Sequence, residues 1–161
     1  MELRLKSDIL APQHVKVIKI SGHNPSKALK IIPSSVKRIF RLGPADFFED
    51  RIKWDTSGEK ITFFAQWRGR VKKDVRTNIW VKVRVQGKES LKDKKGDLTV
   101  WITGELLTKF PYTNFLEKFI AKSYSFFFYS EHARKYVTEA KRLFDMLENE
   151  IKRMLKIEIG G

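Results

Sequence analysis

The sequence predicts an α+β fold, in which a twisted antiparallel sheet is covered on one face by a long C-terminal helix. Hydrophobic and polar residues alternate over 61–71 and again over 79–85, which is the period of a strand with one buried face. From about residue 131 to 156, apolar residues recur at helical spacing instead. Two short helical segments precede the main run of strands, and no linker interrupts the chain. The prediction is therefore one domain over residues 1–161, with two short N-terminal helices.

The part of the chain before residue 45 predicts two strands followed by the two short helices. The strand patterns are residues 2–6 and 15–20. Asn24 is predicted to cap the first helix, with Pro25 at its first position. Pro33 is predicted to end that helix, because proline lacks the backbone N–H that a helix interior requires. A second short helix then runs to Gly43, a residue typical of helix ends.

The remaining chain predicts the body of the sheet and its cover. The strand patterns are residues 47–55, 61–71, 79–85 and 98–103, with a polar, lysine-rich hairpin loop over 88–96. Pro111 is predicted to end the sheet, before the helical stripe begins. Residues 123–130 are aromatic on all sides, so helix, kink and strand stay open there. Such a segment must be buried or bind something, and residues 126–129 are a possible contact in a homo-oligomer.

Positive charge is concentrated in the predicted sheet. Residues 68–95 contain eleven Lys or Arg against three acids, a net charge of +8 out of +14 for the whole chain. Because this run coincides with strand patterns, we expect the charge to lie on one folded face, and such a face favours a polyanionic partner. A charged fraction of 32% also fits a thermophile protein, whose surface is lysine-rich for stability.

Composition argues against several classes of protein. The chain has no cysteine, which excludes disulfides and thiolate metal sites and favours a cytoplasmic location. No window of ~18 apolar residues is present, so no membrane span is predicted. The histidines His14, His23 and His132 are isolated, and no metal site or cofactor is predicted. Glu105 is a candidate buried carboxylate, but one such residue does not define a catalytic site, so a non-enzymatic binding protein is predicted.

The order of elements resembles the helix-grip superfamily of START-like domains. The matching pieces are residues 15–20, 25–42, 47–108 and 115–156. The resemblance implies a curved sheet that grips the long helix, with a cavity between them for an apolar small molecule. The residues implied to line this cavity are Phe63, Trp67, Val81, Val100, Tyr124, Phe128 and Phe144. The alternative is that these large side chains fill the core.

The strongest functional pattern lies on the outward side of the predicted sheet, where aromatic and basic residues alternate with buried ones. Single-stranded nucleic acid uses such surfaces, because bases stack on rings while cations meet phosphates. The predicted nucleic-acid-binding residues are Phe64, Arg68, Arg70, Lys72, Trp80, Lys82, Arg84 and Trp101. Single-stranded or structured RNA is the favoured partner. Another polyanion, an acidic protein, a dimer contact and a solvated face without any partner stay open.

Overall fold

The structure is a computed structural model that describes residues 2–111, 114–124 and 130–160. It confirms the α+β class, since the six strands of this part of the chain form one antiparallel sheet accompanied by a long C-terminal helix. The strands are β1 (Glu2–Asp8), β2 (Lys16–His23), β3 (Phe47–Ser57), β4 (Lys60–Lys72), β5 (Thr77–Ser90) and β6 (Lys95–Pro111). The helices are α1 (Ala28–Ile39), α2 (Phe115–Tyr124) and α3 (Ser130–Glu158).

The sheet is built around β6, which has 17 residues. One side of β6 pairs with β5, and the other side pairs with both N-terminal strands. β1 lies along the second half of β6, with Glu2 opposite Pro111, and β2 lies along the first half, with Lys16 opposite Ile102. The order β1-β6-β5-β4-β3, with β2 also beside β6, leaves β3 as a free edge among the described strands.

The core lies between the sheet and the helices α1 and α3. Every second residue of the central strands faces it, and Trp67, Val83 and Ile102 are at most 1% exposed. The alternation of the sequence thus buries one face of each central strand, as predicted. Gly104 of β6 leaves the space that the ring of Phe144 on α3 occupies, since a Cβ at position 104 would lie 2.4 Å from that ring.

The prediction of two short N-terminal helices separated by Pro33 is wrong. A single helix, α1, runs through Pro33 to Ile39. A proline inside a helix costs ~3 kcal/mol. Ile32 and Val36, on either side of it, are both buried against the sheet, and this burial offsets the cost. Asn24, the predicted cap, makes no capping hydrogen bond through its side chain.

Glu89 of β5 instead holds Ser26, which lies two residues before the start of α1. Its side chain accepts hydrogen bonds from the backbone N–H of Ser26 at 3.2 Å and from the Ser26 hydroxyl at 2.9 Å. Glu89 is 5% exposed and faces the core side of the sheet. The hairpin loop predicted over 88–96 is therefore too long, since β5 ends at Ser90 and β6 begins at Lys95. The prediction missed the end of β5 because the later core-facing positions carry Gly87 and Glu89, which interrupt the hydrophobic alternation.

The long C-terminal helix is confirmed as α3, which is tied to the sheet by an ion pair. The ammonium group of Lys16 on β2 lies 2.9 Å from Asp145 Oδ1, and this hydrogen bond raises the pKa of Lys16 above its ordinary value. The predicted oligomer contact at residues 126–129 lies outside the described residues. None of the described helices contains the long stretch of apolar residues that a membrane-spanning helix requires.

Candidate functional site

The outer face of the sheet, which is the side turned away from α1 and α3, carries the predicted binding residues. Residues directly opposite each other on neighbouring strands point to the same side of a sheet. The register sets these pairs opposite each other: Arg70 and Trp80, Arg68 and Lys82, Arg84 and Trp101, Phe64 and Gln86, Lys72 and Asn78. Their neighbours along β5, Val81 and Val83, are buried in the core. The structure therefore brings both tryptophans and the predicted cations together on one surface.

Trp80 lies in a cluster of rings and arginines. Its ring centroid is 6.0 Å from that of Phe48 on β3. The guanidinium carbons of Arg68 and Arg70 lie 5.3 and 5.8 Å from the Trp80 ring, within the range of cation–π attraction. Sequence reasoning missed Phe48, because its place opposite Arg68 depends on how β3 is aligned with β4.

Arg68 and Arg70 are each held by an aspartate. Arg68 Nε lies 2.6 Å from Asp50 Oδ2, and Arg70 Nη2 lies 2.9 Å from Asp46 Oδ1. Asp50 is the extra residue of a β-bulge, at which β3 shifts its register against β4. Sequence reasoning missed both aspartates, since 18 and 24 residues separate them from their arginines. These two arginines consequently offer less free charge to a partner than the other predicted cations.

The other three predicted cations have no such acid. Lys72, Lys82 and Arg84 are exposed, and none of them forms an ion pair with another described residue. The guanidinium carbon of Arg84 lies 4.9 Å from the ring centroid of Trp101. An unpaired cation therefore stands directly beside a half-buried indole, which is the combination that the sequence predicted for this face.

Two hollows in the outer face flank the tryptophans. One has a volume of about 600 Å³ and adjoins Trp80. Its border is mainly basic, with Arg4, Lys6, Arg68 and Lys82, and also contains the acidic Asp8 and Glu105. The other has a volume of about 490 Å³ and adjoins Trp101 and Phe64. Glu105, weighed as a buried acid from the sequence, is half-buried and points to this outer face opposite Trp80.

The residues implied to line an internal cavity lie in the core. Phe63, Trp67, Val81, Val100 and Phe144 are each at most 2% exposed and belong to one buried cluster. Phe128 and the side chain of Tyr124 lie outside the described residues. Trp67 Nε1 is buried and has no hydrogen-bond partner in the described part of the chain.

The histidines and acids provide no metal centre within the described ranges. His14 Nδ1 lies 2.5 Å from Asp8 Oδ2, at the rim of the hollow beside Trp80. His23 is exposed at the end of β2. No three His, Asp or Glu residues of the described part of the chain gather closely enough to hold a metal ion.

Comparison with known proteins assigns no family. No protein-family model matches the chain, and no curated protein matches it. A protein of unknown function from Staphylococcus aureus is 10% identical over 98% of this chain and 95% of that one, with a TM-score of 0.32. An uncharacterised protein from Rhizobium leguminosarum is 10% identical over 95% and 99%, with a TM-score of 0.22. The Mll3558 protein from Rhizobium loti is 12% identical over 93% and 99%, with a TM-score of 0.25.

Proposed function

We propose that the outer face binds single-stranded nucleic acid, with RNA as the favoured partner. The observation that carries this proposal is the pair of Arg84 and Trp101. The guanidinium is exposed, lies 4.9 Å from the ring and has no ion pair with a described residue. An indole offers a base a surface for stacking, and the cation beside it offers the adjoining phosphate a charge.

The positions of the two tryptophans suit two different bases of one strand. Trp80 lies opposite Glu105 on β6, four positions along that strand from Trp101. At ~3.4 Å per residue, the two stacking sites are ~14 Å apart. Lys82 lies between the two sites, opposite Thr103, where it would meet the backbone that joins the bases. This arrangement favours a single strand, because the bases of a duplex are stacked on each other.

Variants of the outer face test the proposal through affinity and its salt dependence. Each phosphate contact to a single strand contributes about −0.7 to the slope of log affinity against log salt, so Lys82→Ala and Arg84→Ala should each flatten the slope by about that amount. Trp80→Ala and Trp101→Ala remove stacking worth ~1–3 kcal/mol per base and should weaken binding by about fivefold to 150-fold with little change in slope. Fluorescence anisotropy with a labelled single-stranded RNA, repeated at several salt concentrations, measures both quantities.

Lys30→Ala provides the matched control. Lys30 is exposed on α1, on the opposite side of the sheet, and forms no ion pair with a described residue. Its loss should leave affinity within about twofold, since salt screens distant charges. If Arg84→Ala behaves like Lys30→Ala, or if affinity does not depend on salt, then the outer face is not a nucleic-acid interface.

One observation favours a second candidate, a carrier of an apolar small molecule between the sheet and α3. The buried Trp67 Nε1 lacks an acceptor among the described residues, and a bound molecule with a carbonyl or hydroxyl oxygen would supply one. The START-like resemblance implies the same location. The candidate ranks second because the described residues implied to line the cavity, including Phe63 and Phe144, are at most 2% exposed. If the protein is such a carrier, solvent extraction of the purified protein would release a stoichiometric amount of an apolar compound.

A further inference from the structure

β3, which forms one of the two edges of the described sheet, has the features of a contact surface. It pairs with β4 on one side only, and the other side has no partner strand among the described residues. Residues 49–57 are all exposed. An edge of this length presents a row of free backbone N–H and C=O groups, which another strand can pair with.

On the side of β3 that faces the same way as the core, two large apolar side chains are uncovered. Ile52 is 48% exposed and Trp54 is 50% exposed. Trp54 stacks against Phe63 of the core, with ring centroids 6.1 Å apart and an angle of 25° between the planes. The hydrophobic core therefore continues to the surface at this edge, where it ends in an exposed indole rather than in polar side chains.

The charges on the outer side of β3 are complementary to those of a second β3. Lys53 and Asp55 alternate with the apolar residues, and neither forms an ion pair within the described part of the chain. A two-fold axis perpendicular to the sheet and passing through Trp54 sets Lys53 of each copy opposite Asp55 of the other. It also sets the two Trp54 rings opposite each other and Ile52 opposite Thr56. Pairs of opposite charge and pairs of aromatic residues both stabilise antiparallel strands.

Neighbouring positions of the axis are less favourable. An axis through Lys53 sets Arg51 of each copy opposite Asp55 of the other, but it places the two Lys53 ammonium groups against each other. An axis through Asp55 places two carboxylates against each other. An axis through Ile52 places Arg51 opposite Lys53. Because like charges directly opposite each other destabilise antiparallel strands, the axis through Trp54 is the one that the sequence of β3 selects.

We propose that β3 is the interface between two copies of this chain, which pair antiparallel about a two-fold axis through Trp54. The pairing joins both sheets into one and keeps the two outer faces on the same side. It covers the exposed Ile52 and Trp54 of both copies and neutralises Lys53 and Asp55. The dimer rests on β3 alone and is independent of what the outer face binds.

Charge reversal tests the pairing and its register. Lys53→Asp places aspartate opposite Asp55, and Asp55→Lys places lysine opposite Lys53, so each variant makes two attractive pairs repulsive. Each should raise the dimer dissociation constant about tenfold or more. The double variant Lys53→Asp/Asp55→Lys restores both attractive pairs with the charges exchanged. It should return the dimer dissociation constant to within about threefold of the original value. Analytical ultracentrifugation across a concentration series measures these constants, and Lys30→Asp on α1 is the control with the same change in net charge.

Cysteine cross-linking provides a second, geometric test. The chain has no cysteine of its own. Trp54→Cys places two thiols on the axis, where opposite Cα atoms lie about 4.5–5.5 Å apart and a disulfide can form. Ile52→Cys is the control, because the two copies of position 52 lie ~14 Å apart in this register. Oxidation should therefore cross-link the first variant and not the second.

Three results would overturn the proposal. The first is a chain that stays monomeric at about 0.1 mM, a concentration at which even weak specific dimers form. The second is a double charge reversal that associates no more tightly than the single variants. The third is equal cross-linking at positions 52 and 54.

Discussion

Glu150 links the first and last long helices through two arginines. Its carboxylate accepts a hydrogen bond from Arg153, one turn along α3, at 2.9 Å and another from Arg38 on α1. The hydrogen bond from Arg153, together with the positive charge of both arginines, holds the pKa of Glu150 below its ordinary value. A carboxyl group of this kind stabilises the folded state only while it is ionised.

Glu150→Gln is expected to lower the free energy of unfolding at pH 7 by ~0.5–1 kcal/mol. Exposed ion pairs contribute free energies of this size to stability, and the side chains of Arg38 and Arg153 are 58% and 59% exposed. The stabilisation is complete above the ordinary carboxyl pKa of 4.5 and is lost as pH falls through the lowered pKa of Glu150. Urea denaturation of both proteins at several values between pH 7 and pH 3 should show the difference shrinking towards zero.

The control for this experiment is Glu59→Gln, in the turn between β3 and β4. Glu59 is exposed and forms no ion pair with a described residue, so its replacement should change stability little at any pH. A Glu150→Gln difference that is equally large at pH 3 and pH 7 would show that packing, and not charge, is the source of the effect.

Single residues show where sequence reasoning reaches its limit at the candidate site. Alternation along β4 and β5 was enough to predict that Arg68, Arg84 and Trp80 face the same way, because side chains in a strand point to alternate sides. It did not predict that Asp50 neutralises Arg68 while Arg84 stays free. That difference depends on a β-bulge in a neighbouring strand, and no local pattern reports a contact across 18 residues.

At the scale of elements, the contact between β6 and α3 depends on Gly104. Gly104→Ala would place a Cβ 2.4 Å from the ring of Phe144, which is fully buried. Overpacking of this kind costs ~1–3 kcal/mol. We expect Gly104→Ala to lower the urea midpoint accordingly, without changing the fold as judged by circular dichroism.

The double variant Gly104→Ala/Phe144→Leu tests whether this contact is the cause. Leucine at position 144 is smaller than phenylalanine, and Phe144→Leu alone should destabilise the protein by leaving a cavity. In the double variant, the added methyl group occupies part of that cavity. The loss of stability of the double variant should therefore be smaller than the sum of the losses of the two single variants. Strictly additive losses would show that the two positions do not share the space.

Elements with uniform hydrophobic patterns were predictable, and those that depend on tertiary contacts were not. The alternation over β4 and the helical stripe of α3 identified both elements from sequence. The continuity of α1 through Pro33 was missed, because burial on both sides of the proline outweighs its local preference. The full length of β5 was missed because Gly87 and Glu89 occupy core-facing positions for packing and capping reasons.

At the scale of the whole molecule, the charge of the outer face should be visible during purification. The chain carries a net charge of +14. At low salt we expect the protein to retain cellular nucleic acid, with an absorbance ratio of 260 to 280 nm above that of protein alone, and to lose it in a wash at about 1 M salt. Lys141 is exposed on α3 and forms no ion pair with a described residue. The Lys82→Ala/Arg84→Ala double variant should retain less nucleic acid than a Lys30→Ala/Lys141→Ala variant of equal net charge. Equal retention would point to non-specific attraction.

The pairing of the two N-terminal strands with β6 limits when during synthesis these strands can join the sheet. Glu2 pairs with Pro111, and Lys16 pairs with Ile102. When β1 and β2 leave the ribosome, their partner has not been synthesised, and at ~5–20 residues per second they wait roughly 5–20 s for it. During that interval the hairpins from β3 to β5 can form, because each joins neighbours in sequence. We therefore expect closure of the sheet by β1 and β2 to be a late, long-range step of folding, with both strands unpaired in the nascent chain until it occurs.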